Sequence, residues 1–309
     1  MEPPTLSALV SLSDDVAAAV AKASDAVVAV DARRRATSSG VHWREGIVVT
    51  ADHTVKRDAD IELTLPDGRS VTAELVGRDP GVDLTVLRFD GSGLRTADFA
   101  PPEDLAVGRI AVAIARSDDD GVAATMGVIS ALGGPWRTWQ GGRVERLIRP
   151  DLTLYSGFSG GPLVDAVGRV IGINTSGLSR QTALTLPAAT VDRTVQALLT
   201  RGGTARGYLG VGMQQVRIPD DVREALKIEN EEAVIILSVE PGGPASQAGL
   251  LLGDVLIALD GSSVADVRDV LAYLSDNAAG RKARASIIRA GRVVEVDIVI
   301  GERPAYESD

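Results

Sequence analysis

The sequence predicts a mainly β chain in two parts: a sandwich or barrel of many short strands, then a small α+β module. Three observations carry this. Between about residues 26 and 190, short runs rich in Val, Ile and Leu recur between Gly, Asp and Pro, the spacing of an all-β sandwich or barrel. The pattern breaks at Gly202-Gly203, a boundary signal. Beyond it, about 100 residues mix strand-like runs with the segment "VADVRDVLAYLSDNAAG". Its apolar residues fall at i, i+3 and i+4 and it ends on Gly280, as an amphipathic helix does.

From about Ser11 to Lys22 the apolar residues have helical spacing, with Ser13, Asp14 and Asp15 suited to a helix start. The strand candidates follow: "AVVAVDA", "EGIVVTA", "DIELTLP", "SVTAELVGR", "LTVLRF", "RIAVAIA", "GVISAL", "GPLVDAVGRVIGIN" and "ALTLPAAT". "LPDGRSV" and "DAVGRVI" read as hairpin turns, and Thr190 to Arg201 as a helix. In the second part "YLGVGMQQV" and "AVIILSVE" read as strands and "GPASQAGL" as a short helix start. "GDVLIALDG" is a strand closed by an Asp-Gly turn, and "ARASIIRAG" with "RVVEVDIVI" a hairpin. The expected division is 1–203 and 204–309.

Composition narrows the function classes. The chain has 309 residues, enough for two domains. It is 45% hydrophobic but only 3% aromatic, so Val, Leu, Ile and Ala must fill the core. The net charge of −10 argues against a nucleic-acid partner, which needs a basic face. The run "ARRR" from Ala32 to Arg35 is too short to alter that and reads as a solvated surface cluster. There is no cysteine, which excludes disulfides, thiolate catalysis and Cys-based zinc sites. The acidic cluster Asp118 to Asp120 lacks the spaced ligands of a calcium loop, so no metal and no cofactor is implied. The stretch "MEPPTLSALVSLSDDVAAAV" has neither a basic start nor a sustained apolar core and does not read as a signal peptide. No run of about 18 apolar residues suggests a membrane span. The expected location is cytoplasmic as written, or periplasmic if a leader was removed.

The chemistry is concentrated around "YSGFSGGPLVD", residues 155–165. Ser159 sits there among glycines, but a serine is a weak nucleophile unless a base lies within hydrogen-bond reach and a third group orients that base. The chain offers two histidines, His42 and His53. His53, in "IVVTADHTV", follows an apolar strand, where a loop could project it from a rigid sheet. His42, in "SSGVHWREG", has no such setting. Asp83, in "GRDPGVDLTVLRF", stands at the start of an apolar run. Each residue alone is weak, but the order His, Asp, Ser is one of the known orders of a catalytic triad.

The blocks "TADHTV", "GRDPGVDLTVL" and "GFSGGPLVDAVGRVIGIN" resemble the three motif blocks of the HtrA/Deg family of trypsin-like serine proteases. "RGYLGV" and "VEPGGPASQAGLLLGDVLIALDG" resemble the PDZ domain that follows the protease in that family. The resemblance runs from about Ala26 to Gly301. It implies a chymotrypsin-like double β-barrel followed by an α+β PDZ domain. His53 would be the general base, Asp83 its orienting carboxylate and Ser159 the nucleophile, with the Gly157 and Ser159 amides as oxyanion hole. Tyr208, Leu209, Gly210 and Val211 would hold a peptide C-terminus. The implied partners are unfolded or misfolded polypeptides, and the implied assembly a homo-oligomer. Family trimers are held partly by N-terminal aromatics, and this chain has none before Trp43.

The chain departs from the family in two places. Phe158 stands where the family usually has Asn, and "IARSDDDG" replaces a Gly-Asn-Pro turn. In the specificity region "LSRQTALTLPAAT" no acidic residue marks a trypsin-like pocket, so small or medium apolar residues are the expected cleavage preference. Phe158 motivates the alternative class: a non-catalytic or resting-inactive chaperone or peptide-binding scaffold that keeps the protease fold.

Overall fold

The computed structural model describes residues 4–33, 37–91, 93–118, 121–138, 141–179, 182–201, 207–276 and 280–302. Asp119 and Asp120 of the acidic cluster and the boundary glycines 202 and 203 lie outside these residues. The chain forms two compact units, residues 1–138 with 143–204, and residues 139–142 with 205–309.

The first unit opens with helix α1 (Pro4–Ser24), longer than the periodicity implied. Pro4 explains the early start, since its fixed φ and missing N–H suit a first helical turn. Six strands then close an antiparallel barrel: β1 (Val27–Asp31), β2 (Ser38–Arg44), β3 (Ile47–Thr50), β4 (Ile61–Thr64), β5 (Ser70–Asp79) and β6 (Leu84–Arg88). Their order is β1-β2-β3-β6-β5-β4, with β1 paired to β4. A second closed barrel uses β7 (Ile110–Ser117) and β8 (Gly121–Leu132), then, beyond the small ribbon β9 (Trp136–Arg137) and β10 (Arg143–Val144), β11 (Ile148–Asp151), β12 (Pro162–Asp165), β13 (Val170–Thr175) and β14 (Leu184–Pro187). The order is β11-β14-β13-β12-β7-β8, with β8 paired to β11. Helix α2 (Ala188–Arg201) follows.

Period-two alternation sorts the side chains into three cores. Val28, Val30, Val48, Ile61, Leu63 and Leu87 fill the first barrel. Ala111, Ala113, Ala115, Ile129, Leu163 and Ile171 fill the second. The residues between them on the same strands face the other way. Val27, Val49, Val112, Ile114 and Ile173 join Trp43 and the α2 residues Val191, Val195 and Leu198 in a core shared by both barrels. Alanine at three alternate positions of β7 leaves room inside the second barrel, and Phe158 packs there.

The second unit is an antiparallel sheet of β16 (Val211–Arg217), β17 (Glu232–Val239), β18 (Val255–Leu259), β20 (Lys282–Arg289) and β21 (Arg292–Val299), in that order. The two-residue strand β19 (Ser262–Ser263) pairs with β18, and β15 (Gly207–Tyr208) with β22 (Gly301–Glu302). Helices α3 (Asp220–Leu226), α4 (Pro244–Gln247) and α5 (Val267–Asp276) complete it. Its core includes Val234, Ile236, Leu256, Val270, Leu274 and Ile287.

Candidate active site

His53 lies in a single 3-10 turn (Asp52–Thr54) just after β3. The turn is closed by the Val55 N–H on the Asp52 carbonyl at 3.0 Å. The Thr54 hydroxyl packs inward, within 2.7 Å of the Ala51 carbonyl and 3.0 Å of the Ser38 hydroxyl. The Asp52 carboxylate accepts the Thr85 hydroxyl at 2.9 Å and pairs with Arg78 at 3.4 Å. Burial pushes the Asp52 carboxyl above its ordinary range, against the pull of Arg78 and Thr85.

Asp83 ends the turn that enters β6. Asp79 caps that turn through the Gly81 N–H at 3.0 Å. Asp83 itself is left-handed, with φ 54°, a conformation that Asp tolerates better than most residues. Its buried carboxylate has three partners. One oxygen accepts the His53 backbone N–H at 2.8 Å. The other lies 2.8 Å from His53 Nδ1 and also accepts the Thr175 hydroxyl. A carboxylate acceptor places the proton of the neutral imidazole on Nδ1, which leaves Nε2 as an acceptor. Gly177 packs against this pair so closely that a Cβ there would lie 2.6 Å from Asp83 Oδ2 and 2.7 Å from His53 Nδ1.

Ser159 is buried in the turn between β11 and β12. Gly160, at φ 87°, lets the chain pass where a Cβ would come within 2.1 Å of the Ser39 carbonyl. Backbone bonds fasten the turn to both barrels. The Gly160 N–H donates to the Asn174 carbonyl at 2.9 Å and the Ser39 N–H to the Ser159 carbonyl at 3.3 Å. The peptide between Gly157 and Phe158 is held at both ends. Its carbonyl accepts the Ser39 hydroxyl at 2.7 Å, and its N–H donates to the Tyr155 carbonyl at 3.2 Å. Among the described residues the Gly157 and Ser159 amides have no backbone acceptor.

Phe158 is buried in the second barrel's core with Ala111, Ala113, Ile129, Ile148 and Leu163. The Tyr155 ring packs edge-on, with centroids 6.1 Å apart. Apolar packing thus anchors the turn where an Asn would need hydrogen bonds. Burying a Phe side chain contributes on the order of 2–3 kcal/mol.

His53 and Ser159 do not hydrogen-bond directly. Ser176, just past β13, stands between them. Its Oγ is 3.1 Å from Ser159 Oγ and 3.3 Å from His53 Nε2, and its N–H lies 3.4 Å from Ser159 Oγ. Thr175 and Ser176 carry no signal in the sequence, where a Thr-Ser pair at a strand end is commonplace.

His42, the other histidine, is structural. It is fully buried in β2, with Nδ1 2.9 Å from the Arg95 carbonyl and the Gly46 N–H donating to Nε2 at 3.2 Å. Burial lowers its pKa, opposed by the bond to Arg95.

In the second unit Tyr208 ends β15, Leu209 is buried, Gly210 is left-handed at φ 71°, and Val211 begins β16. The Leu209 carbonyl accepts the Ala245 N–H and the Gly210 carbonyl the Glu240 N–H, both at 2.8 Å. The Tyr208 hydroxyl donates to the Glu240 carboxylate. Strand β16 is an edge of the sheet, paired with β17 on one side.

The two units match two family models: a trypsin-like peptidase domain over residues 38–173 and a PDZ domain over residues 207–300. The chain is 33% identical over 267 residues to a probable periplasmic serine endoprotease, DegP-like, of Brucella suis, covering 84% of this chain and 51% of that protein. The same comparison with the Rhizobium meliloti protein of that description gives 33% over 280 residues, 88% and 55%. The chain thus spans about half the length of these curated relatives. Solved structures agree in fold. The HtrA-type protease AlgW with tripeptide has a TM-score of 0.67 at 31% identity, covering 94% of this chain and 98% of that one. A serine endoprotease from Yersinia pestis gives 0.70 at 27%, with 94% and 98% covered. Two barrels, a PDZ unit and these likenesses together place the chain in the HtrA family of trypsin-like serine proteases.

Proposed function

We propose that the chain is a serine endopeptidase that cleaves unfolded or misfolded polypeptides, with Ser159 as nucleophile, His53 as general base and Asp83 as its orienting group. The observation that carries this reading is the grip of Asp83 on His53. One carboxylate oxygen holds the His53 backbone and the other faces Nδ1, so that Nε2 accepts and lies toward Ser176 Oγ, itself 3.1 Å from Ser159 Oγ. In the acylation step the Ser159 oxygen bonds to the scissile carbonyl carbon and its proton passes to His53 Nε2. Asp83 stabilises the imidazolium. That proton then goes to the leaving amine as the C–N bond breaks, and water repeats the sequence to release the acid. The Gly157 and Ser159 amides, without backbone acceptors among the described residues, are the donors for the oxyanion.

The domains proposed are 1–203 for the protease and 204–309 for the PDZ unit. The PDZ unit takes peptide C-termini at Tyr208, Leu209, Gly210 and Val211, or regulates the protease. The loop's carbonyls are engaged within the unit, and β16 offers a free edge for strand addition. A solved relative, AlgW with decapeptide, supports a peptide as the ligand. The names of the curated relatives support the periplasm as the location. No described helix is long and apolar enough to cross a membrane.

Casein turnover by the full chain, abolished in Ser159→Ala, tests the activity. A labelled peptide that binds with a free but not an amidated C-terminus tests the PDZ loop. One observation favours a second reading, a resting-inactive or purely chaperone-like protein: Ser159 and His53 are not directly bonded. Suppression of aggregation that survives Ser159→Ala, with no turnover by the unmodified chain, is its signature.

A further inference from the structure

We infer that Ser176 is a positioning residue that latches the site at rest, by holding the nucleophile's proton and the base's lone pair apart; this rests on the triad proposed above. The proton count in the cluster fixes the direction of each bond. His53 Nδ1 faces the Asp83 carboxylate at 2.8 Å and carries the proton of the neutral ring, the form that acts as a base, so in that form Nε2 accepts. The hydroxyl 3.3 Å from Nε2 is that of Ser176, which must therefore donate there. A serine hydroxyl has one proton. With it given to His53, the 3.1 Å contact between Ser176 and Ser159 runs the other way, and Ser159 donates to Ser176. The Ser176 N–H, 3.4 Å away, meets a lone pair of the same Ser159 oxygen.

The Ser159 hydroxyl and the His53 lone pair are both present in this arrangement, but each is bonded to Ser176. The Ser159 proton points at a hydroxyl far less basic than imidazole, and the imidazole lone pair is occupied. Unliganded catalytic sites often show long hydrogen bonds that tighten with substrate. Here the space between the two groups is filled by a third side chain, which must leave before they can meet. It can leave at low cost. Ser176 is solvent-exposed, and exposed rotamers exchange in picoseconds to nanoseconds. The neighbouring Thr175 cannot move with it, because its hydroxyl is bound to buried Asp83. Release is thus a rotation of one side chain that leaves the His53–Asp83 pair intact. A substrate or regulatory peptide that binds better with Ser176 turned away would shift the population toward the active arrangement.

The test is the rate at which diisopropyl fluorophosphate modifies Ser159 in the full-length chain without added peptide, read by intact mass, with Ser159→Ala as the blank. Removing the latch in Ser176→Ala should raise the rate roughly tenfold, the worth of about one hydrogen bond. Ser176→Thr keeps a hydroxyl and should return it to within about twofold of the unmodified chain. Because Ser176 is exposed, urea midpoints of all three proteins should coincide, so a folding defect cannot imitate the effect. A Ser176→Ala rate equal to or below that of the unmodified chain overturns the latch while leaving the triad standing. A slower rate would make Ser176 a proton relay instead. Labelling of neither protein, with both folded, overturns the triad and the latch together.

Discussion

The Ser39 hydroxyl, on a strand of the first barrel, donates to the Gly157 carbonyl of the 155–161 turn at 2.7 Å. The same oxygen accepts the Arg116 N–H at 2.9 Å, from a strand of the second barrel. One buried hydroxyl therefore fixes the turn at the junction of both barrels. Ser39→Ala leaves buried groups without partners and should lower stability by about 1–3 kcal/mol. With the turn loosened, the fluorophosphonate rate should fall by more than the fraction unfolded accounts for. Urea unfolding and labelling on the same samples check both parts.

Phe158 is the packing anchor of that turn. Phe158→Ala should cost about 3–5 kcal/mol through lost burial and the cavity left behind. Phe158→Leu, which refills most of the space, should cost less than half as much. Phe158→Asn places an amide among Ala111, Ala113 and Leu163 and should behave like the alanine variant or worse. Thermal unfolding ranks the three.

Asp83 and Thr175 have separable roles. Asp83→Asn keeps the shape but allows the wrong imidazole tautomer, and turnover should fall by about 10⁴, as in a related protease. Thr175→Val removes one hydrogen bond to the Asp83 carboxylate and should lower turnover by a far smaller factor, with KM nearly unchanged. Steady-state kinetics on a peptide substrate distinguish the two.

Gly177 has no room for a side chain. In Gly177→Ala the new methyl would lie 2.6 Å from Asp83 Oδ2 and 2.7 Å from His53 Nδ1, so the pair must separate or the segment must shift. Turnover should fall at least tenfold, while the melting temperature, set by the barrel cores, should change little.

His42 gives the first unit an acid-sensitive point. Its Nε2 accepts the Gly46 N–H, so only the neutral ring fits. Burial lowers its folded pKa below 6.5. The unfolded chain then binds a proton more readily than the folded one, and the contribution is complete above about pH 6.5. It is lost as pH falls from there through the lower folded value. Urea midpoints between pH 8 and 5 should show this loss, and His42→Gln should remove that part of the slope.

The parts legible in the sequence are those with a local signature. His53, Asp83 and Ser159 each sit in a strand-and-turn motif, and the glycines around Ser159 announce a tight turn. Most strand runs of both barrels follow from alternation and punctuation, but β2 and β11 are not among the apolar runs, and β8 is twice as long as its apolar run "GVISAL" suggests, because it pairs with β7 on one side and β11 on the other. Helix α3, seven residues long, carries too short a pattern to show. Ser39, Thr175 and Ser176 are ordinary hydroxyl residues within or after strands. Their roles arise when barrel closure brings β2, β13 and the 155–161 turn together, and no spacing along the chain encodes that. Phe158 was visible as a departure, but its partner, the alanine row of β7, is recognisable only once the second barrel is closed.

The most direct test of the account is active-site labelling of the full-length chain with a fluorophosphonate probe, followed by peptide mapping. The account predicts modification at Ser159 alone, abolished in Ser159→Ala and slowed by orders of magnitude in His53→Ala. A folded protein that is never modified at Ser159, or that is modified equally fast without His53, would contradict it.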